Sequence, residues 1–224
     1  MAIEFLKPFK SRASVTMDLK PVGEAQTDVT WSMDGKMPIF LFFMIGMMKR
    51  MIGMDYERGL KMLKEYVETG NVKSQTEIVG MVDYPGTHYV GVGEHCAIDE
   101  IGPSMEQTLP AARDAAVKHG LEIAGPPGAI YRDFDIKAQK CHYTAFVQVA
   151  TPASIDGVTN GRIEPCRALK VAHTGAYRHL GNAWSTAMQV QRHQKLKAAR
   201  SMPPFELYVS DPCETTEPEL VSEI

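Results

Sequence analysis

The stretch Pro203-Pro204-Phe205-Glu206-Leu207-Tyr208 repeats the pattern of Pro126-Pro127-Gly128-Ala129-Ile130-Tyr131, and the pairing of the two decides the fold. They align with an offset of 77 residues, counted from Tyr131 to Tyr208. Each is preceded by a segment of helical pattern, residues 104–119 in the first copy and 177–198 in the second. Each of those follows a strand-like run, 87–94 (THYVGVGE) and 167–173 (RALKVAH). After each PPxxxY comes one more strand, 143–149 (YTAFVQV) and 220–224. The order strand, helix, strand, strand therefore occurs twice. Residues 151–165, rich in Gly, Pro and polar side chains, read as the loop between the copies. The expected fold is α+β, with duplicated strand-helix-strand-strand units forming an antiparallel sheet about a pseudo-twofold axis and leaving a groove between the halves.

Upstream of the repeat the pattern changes. Residues 14–19 (SVTMDL) and 26–33 (QTDVTWSM) alternate apolar and polar side chains, with Pro21 and Gly23 as a turn between them. The run 38–48 (PIFLFFMIGMM) is apolar, but Lys49 and Arg50 end it, well short of the roughly 20 residues that span a bilayer. Phe40, Phe43, Met44, Met47, Met51 and Met54, then Leu60, Leu63 and Val67, recur at helical spacing. One long helix over 38–68 is expected, packing on its own sheet or, alternatively, meeting a membrane surface or a partner. Gly70 and the polar residues 71–77 read as its stop and a linker, which puts a domain over residues 1–70 and a second over 75–224.

Composition narrows the function classes. A 44% hydrophobic and 23% charged content is that of a globular protein. The net charge of −3 and the dispersed Lys and Arg give no general attraction to phosphate, so nucleic-acid binding by this chain alone is not expected. Cys96, Cys141, Cys166 and Cys213 show no CxxC or Cys/His zinc spacing, so free thiols of a cytoplasmic protein are expected, with neither metal nor cofactor. Residues 1–10 lack the apolar core of a secretory signal.

Two resemblances add to this. HTGAYRHLGNAW (173–184), PPFELYVSDP (203–212) and ELVSEI (219–224) resemble the gyrase-inhibitor-like family, also met as the effector-binding domain of AraC- and MerR-type regulators. The resemblance covers nearly all of the second domain. It implies a ligand pocket at the junction of the two units that takes hydrophobic or cationic molecules; some stand-alone members hydrolyse strained cyclopropane-containing toxins. The family's acidic pocket residue lies in an E-x-Y pattern, here Glu206 and Tyr208. More weakly, Lys7-Pro8-Phe9, the run 27–31 and the helix end 55–68 resemble the last part of the polyketide-cyclase/START-like helix-grip fold. Two strands and a helix cannot close the cavity of that fold, so this segment is expected to pack on the second domain or on another chain, a homodimer included.

The residues carry a reading of their own. On a strand, Glu206 and Tyr208 share one face and Leu207 takes the other; Leu207 suits the helix-covered side, leaving Glu206 and Tyr208 toward the groove. A carboxylate among aromatic rings attracts cations, and burial raises its pKa toward the range of a general acid or base. The first copy has Ala129 in place of Glu206, which predicts one acidic site. A solvated strand glutamate is the plain alternative. Tyr131 holds the pseudo-symmetric place of Tyr208. Tyr177, Leu180 and Trp184 share a helix face, as core or as a pocket wall. Tyr143 and Phe146 alternate, so only one can line the groove, and Phe146 is taken as the liner. The candidate ligand-binding set is thus Glu206, Tyr208, Tyr131, Trp184, Tyr177 and Phe146. The functions expected are binding of a small hydrophobic or cationic ligand by a sensor or sequestering protein or, alternatively, hydrolysis of a strained small molecule with Glu206 as general base.

Overall fold

The computed structural model describes residues 1–6, 10–36, 38–199 and 201–224, which divide after residue 72 into two units. In the first, β1 (Ala2–Phe5), β2 (Ser11–Val22) and β3 (Gln26–Gly35) pair antiparallel in the order β1-β2-β3. The two expected strands are both longer than their alternation suggested, and β1 is new. Lys7-Pro8-Phe9 of the helix-grip resemblance lies outside the described residues. The helix expected over 38–68 begins later: Ile39–Met44 wind as a 3-10 turn, and α1 spans Ile45–Thr69. It ends where Gly70 turns left-handed at φ 75°, with its N–H on the Tyr66 carbonyl at 2.8 Å. α1 meets β3 through Trp31, whose ring stacks on Tyr56 at 4.2 Å and lies over Gly59. Among the described residues, Ala13 and Val15 are the buried apolar side chains of this unit, and α1 buries none. No helix among the described residues is long and apolar enough to cross a membrane.

The second unit begins with β4 (Ser74–Tyr84), β5 (Thr87–Ala97), α2 (Ile101–Lys118), β6 (Gly128–Asp135) and β7 (Lys140–Val149). It continues with β8 (Thr159–Ile163), β9 (Cys166–Gly175), α3 (Gly181–His193), β10 (Phe205–Tyr208) and β11 (Val221–Glu223). The eight strands form one antiparallel sheet in the order β4-β9-β11-β10-β6-β7-β5-β8. The order reads as two mirrored halves meeting at the β10–β6 seam. Each half holds the last three strands of one copy, and each copy's leading strand crosses to the other half: β4 pairs with β9, and β8 with β5.

Two expectations are corrected by these leading strands. The supposed linker 71–77 enters β4 at Ser74, and the supposed loop 151–165 contains β8. The repeating unit is therefore strand-strand-helix-strand-strand. β4 carries no strand signature in the sequence because a bulge between Ile78 and Gly80 shifts its pairing register, so its apolar side chains do not alternate. β8, TNGRI, buries Ile163 alone, so its pattern has no period to read. The helix expected over 177–198 is also shorter, a 3-10 turn at Tyr177–His179 followed by α3.

α2 covers β5 and β7 with Met105, Thr108, Ala112 and Ala116, one stripe at helical spacing, and α3 lies over β9 and β4. All four cysteines are free, from buried Cys141 to exposed Cys213; burial pushes the Cys141 thiol up to about 12 and keeps it protonated.

At the seam, Leu207 pairs with Gly128, and Gly128 with Phe146. A Cβ on Gly128 would stand 2.2 Å from the Glu206 carbonyl oxygen and 2.8 Å from the Phe146 ring, so only glycine lets the halves close. Gly128→Ala is expected to cost about 2–3 kcal/mol, read as a lower denaturant midpoint at an unchanged slope; an unchanged midpoint would contradict a tight seam.

Candidate functional site

Strand pairing decides which side chains meet. Glu206 pairs with Ala129, Ala129 with Ala145, and Tyr131 with Tyr143, so all five side chains share one face. That face carries the helices: Met105 of α2 packs with Ala129, Tyr143 and Ala145, while α3 brings Trp184 to Glu206. The sequence reading had put Leu207 under the helices, and this is reversed. Leu207 belongs to the far face, in a cluster with Tyr89, Ile130, Phe146 and Ile163. Phe146, taken as a liner, is therefore separated from Glu206 by the sheet itself. Its alternation partner Tyr143 is on the Glu206 face, with its hydroxyl on Ser104 at 2.5 Å and Thr108 at 3.1 Å. Sequence alone had no means of choosing between them, because both are fully buried.

Glu206 is 1% exposed and stands at the centre of an aromatic cage. Tyr131 donates to Oε1 at 2.8 Å, Tyr208 to the same oxygen at 2.5 Å, and the Trp184 indole N–H to Oε2 at 2.6 Å. Each donor comes from a different part of the fold: β6, the same strand β10 two residues on, and the first turns of α3. The rings brace one another, with Tyr131 edge-on to Trp184 at 5.2 Å and Tyr177 edge-on to Tyr208 at 5.4 Å. Tyr177, 37% exposed, forms the outer rim. Five of the six candidate residues thus converge. Glu217, itself exposed, pairs with Arg178 and Lys73 beside this rim.

The electrostatics are unusual because no partner of Glu206 among the described residues is a cation. Burial raises its pKa, and the hydrogen bonds from Tyr208, Trp184 and Tyr131 lower it without cancelling that rise. Tyr131 and Tyr208 are pushed well above the ordinary phenol value, first by burial and then by the Glu206 charge, so they remain neutral donors. A buried carboxylate without a counter-charge is costly, by several kcal/mol before its hydrogen bonds are counted. Among the described residues no three His, Cys, Asp or Glu side chains gather as a metal site.

This site makes stability depend on pH in a definite direction. The folded carboxyl holds its proton more tightly than the unfolded one, so its contribution is full below the ordinary value of 4.5 and is lost as pH rises through the raised folded value. Thermal unfolding followed from pH 4 to pH 8 should show wild type losing stability relative to Glu206→Gln as pH rises. A difference that stays flat, or grows in favour of wild type, would contradict the raised pKa.

A search of curated proteins returns no match. Among solved structures, the chain is similar to EcmrR in the cryo-EM structure of an EcmrR–DNA complex, at 17% identity and a TM-score of 0.57, over 79% of this chain and 66% of that one. This chain thus spans about two thirds of the EcmrR chain it matches there. The crystal structure of the EcmrR C-terminal domain matches at 17% identity and a TM-score of 0.57, over 67% of this chain and 94% of that domain. SAV2435 bound to tetraphenylphosphonium matches at 16% identity and a TM-score of 0.47, over 67% of this chain and 91% of that one. At such identities the EcmrR likeness shows a shared fold. Residues 79–224, well over half of the chain, match the model of the GyrI-like small molecule binding domain, and the protein belongs to that family.

Proposed function

We propose that the protein binds a lipophilic cation at Glu206, between the two halves of the sheet, and acts as a sensor or sequestering protein for it. The observation that carries this reading is a carboxylate 1% exposed whose three partners among the described residues are all neutral donors. A fold that places an uncompensated negative charge under aromatic rings gains most from a ligand that brings the missing positive charge. The rings of Trp184, Tyr131, Tyr208 and Tyr177 offer it cation–π contacts of about 0.5–2 kcal/mol each. The cage is closed over the carboxylate, so a ligand enters by replacing one or more of the three donors. Exposed Tyr177 and half-buried Trp184 form the side on which the cage can open.

Hydrolysis is the second reading, and the raised pKa of Glu206 favours it, since a carboxyl poised above its usual range suits a general base. Against it, three donors hold the oxygens that would have to accept a proton from water. Turnover of a cyclopropane-containing electrophile that is lost in Glu206→Gln would select the hydrolase; stoichiometric binding without turnover selects the binder. For residues 1–70 the helix-grip relationship is likewise proposed, on the succession of strands and one long helix.

Rhodamine 6G titrated against the protein is expected to bind, and Glu206→Ala to weaken it about tenfold, the ~1.4 kcal/mol scale of one charge contact. Bound dye should quench Trp184 and not Trp31, so Trp184→Phe removes the quench and Trp31→Phe retains it. Equal affinity for wild type and Glu206→Ala, or a quench that follows Trp31, would move the site elsewhere.

A further inference from the structure

The second half of the sheet carries a polar feature that the first half lacks. Tyr208 pairs with Ser222, Ser222 with His173, and His173 with Thr76, so these side chains form a row on the Glu206 face. Ser222 and His173 are each 0% exposed. His173 uses Nε2 toward Ser74 Oγ at 3.0 Å, and Asn182 of α3 donates to the same oxygen at 2.9 Å. Ser222 Oγ and His173 Nδ1 have no hydrogen-bond partner among the described residues. Two neighbouring orphaned polar atoms in a buried row are costly to the fold, because buried polar groups are otherwise almost always paired.

The pseudo-symmetry shows what a purely structural solution looks like. Superposing Tyr131 on Tyr208 puts Tyr143 at the place of Ser222, since Tyr131 pairs with Tyr143 as Tyr208 pairs with Ser222. In the first half the Tyr143 phenol fills that place and is tied to Ser104 and Thr108 of α2. In the second half a serine stands there, shorter by a whole ring, and its hydroxyl has no partner among the described residues. The chain thus keeps an unpaired polar group where it elsewhere uses a satisfied aromatic one.

From this we infer that Ser222 and His173 form a polar subsite of the Glu206 cage, which takes a neutral hydroxyl or amide group carried by the cationic ligand. The inference rests on the reading that a cation binds at Glu206. A cation that takes Oε1 displaces the phenol of Tyr208, which is the cross-strand neighbour of Ser222, and so uncovers the row. Ser222 Oγ can donate and accept, and the free ring nitrogen of His173 does one or the other according to its tautomer. A hydroxyl or carboxamide matches both partners at once, whereas a second charge would be stranded. Burial lowers the pKa of His173, with nearby His179 adding to the effect, so the ring stays neutral.

A matched pair of permanent cations tests this: propyltriphenylphosphonium and 3-hydroxypropyltriphenylphosphonium, which differ by one hydroxyl. Calorimetric titration of wild type should show the hydroxylated ion bound about five- to tenfold more tightly, the scale of one hydrogen bond. In Ser222→Ala the two ions should bind alike, at the affinity of the propyl ion, while the melting temperature holds or rises because an unpaired buried hydroxyl has gone. Glu206→Gln should weaken both ions about tenfold and keep their ratio. Equal binding of both ions by wild type, or a preference that survives Ser222→Ala, overturns the subsite and leaves the Glu206 reading standing. If neither ion binds, or Glu206→Gln changes nothing, the cationic reading falls and the subsite with it.

Discussion

A single carboxylate, Glu206, sits 1% exposed at the seam of the sheet and receives three hydrogen bonds from two phenols and an indole. Charge in such a place is tolerable only if every donor arrives in the right geometry. That requirement ties together parts of the chain far apart in sequence: β6 supplies Tyr131, β10 supplies Tyr208, and α3 supplies Trp184. The glycine at position 128 belongs to the same requirement, because it lets β6 approach β10 closely enough for Ala129 to stand beside Glu206. The cage is thus both the most demanding element of the fold and the place where its two halves are joined.

Duplication explains why the halves can be joined so closely and still differ. The exchange of leading strands, β4 onto β9 and β8 onto β5, ties each half to the other at both outer edges of the sheet, so neither half is complete alone. Within that shared frame the two copies have separated chemically. In the first half Ala129 and Ala145 lie under α2 beside a Tyr143 whose hydroxyl is tied to Ser104 and Thr108, while the second places Glu206, Ser222 and His173 on the same face. The second copy carries the carboxylate and the unpaired polar row, and the first contributes Tyr131 to the cage.

Much of this was legible beforehand, for identifiable reasons. The repeated PPxxxY places β6 and β10 because proline and strand signals are local. The E-x-Y pattern places Glu206 and Tyr208 on one face because strand geometry has a period of two. Trp184 and Tyr177 both reach that face, although Tyr177 comes from a 3-10 turn ahead of α3 and not from the one helix that their spacing suggested. What went astray shares a different cause. Phe146 and Tyr143 are equally buried aromatic residues of one strand, and nothing in their own sequence says which side of the sheet the helices take. β4 and β8 are not legible in the sequence because a bulge breaks the alternation of one and the other buries a single apolar side chain.

The sequence by itself determined the duplication, the single acidic position and the aromatic residues available to surround it, since all of these follow from residue identity and local periodicity. Only the tertiary structure decided that the helices cover the Glu206 face, that the leading strands are exchanged, and that Ser222 and His173 lie in register beside Tyr208. Each of those is a matter of which strand pairs with which, between segments tens of residues apart. Pairing is set by the packing of whole faces, and no local run of residues encodes it.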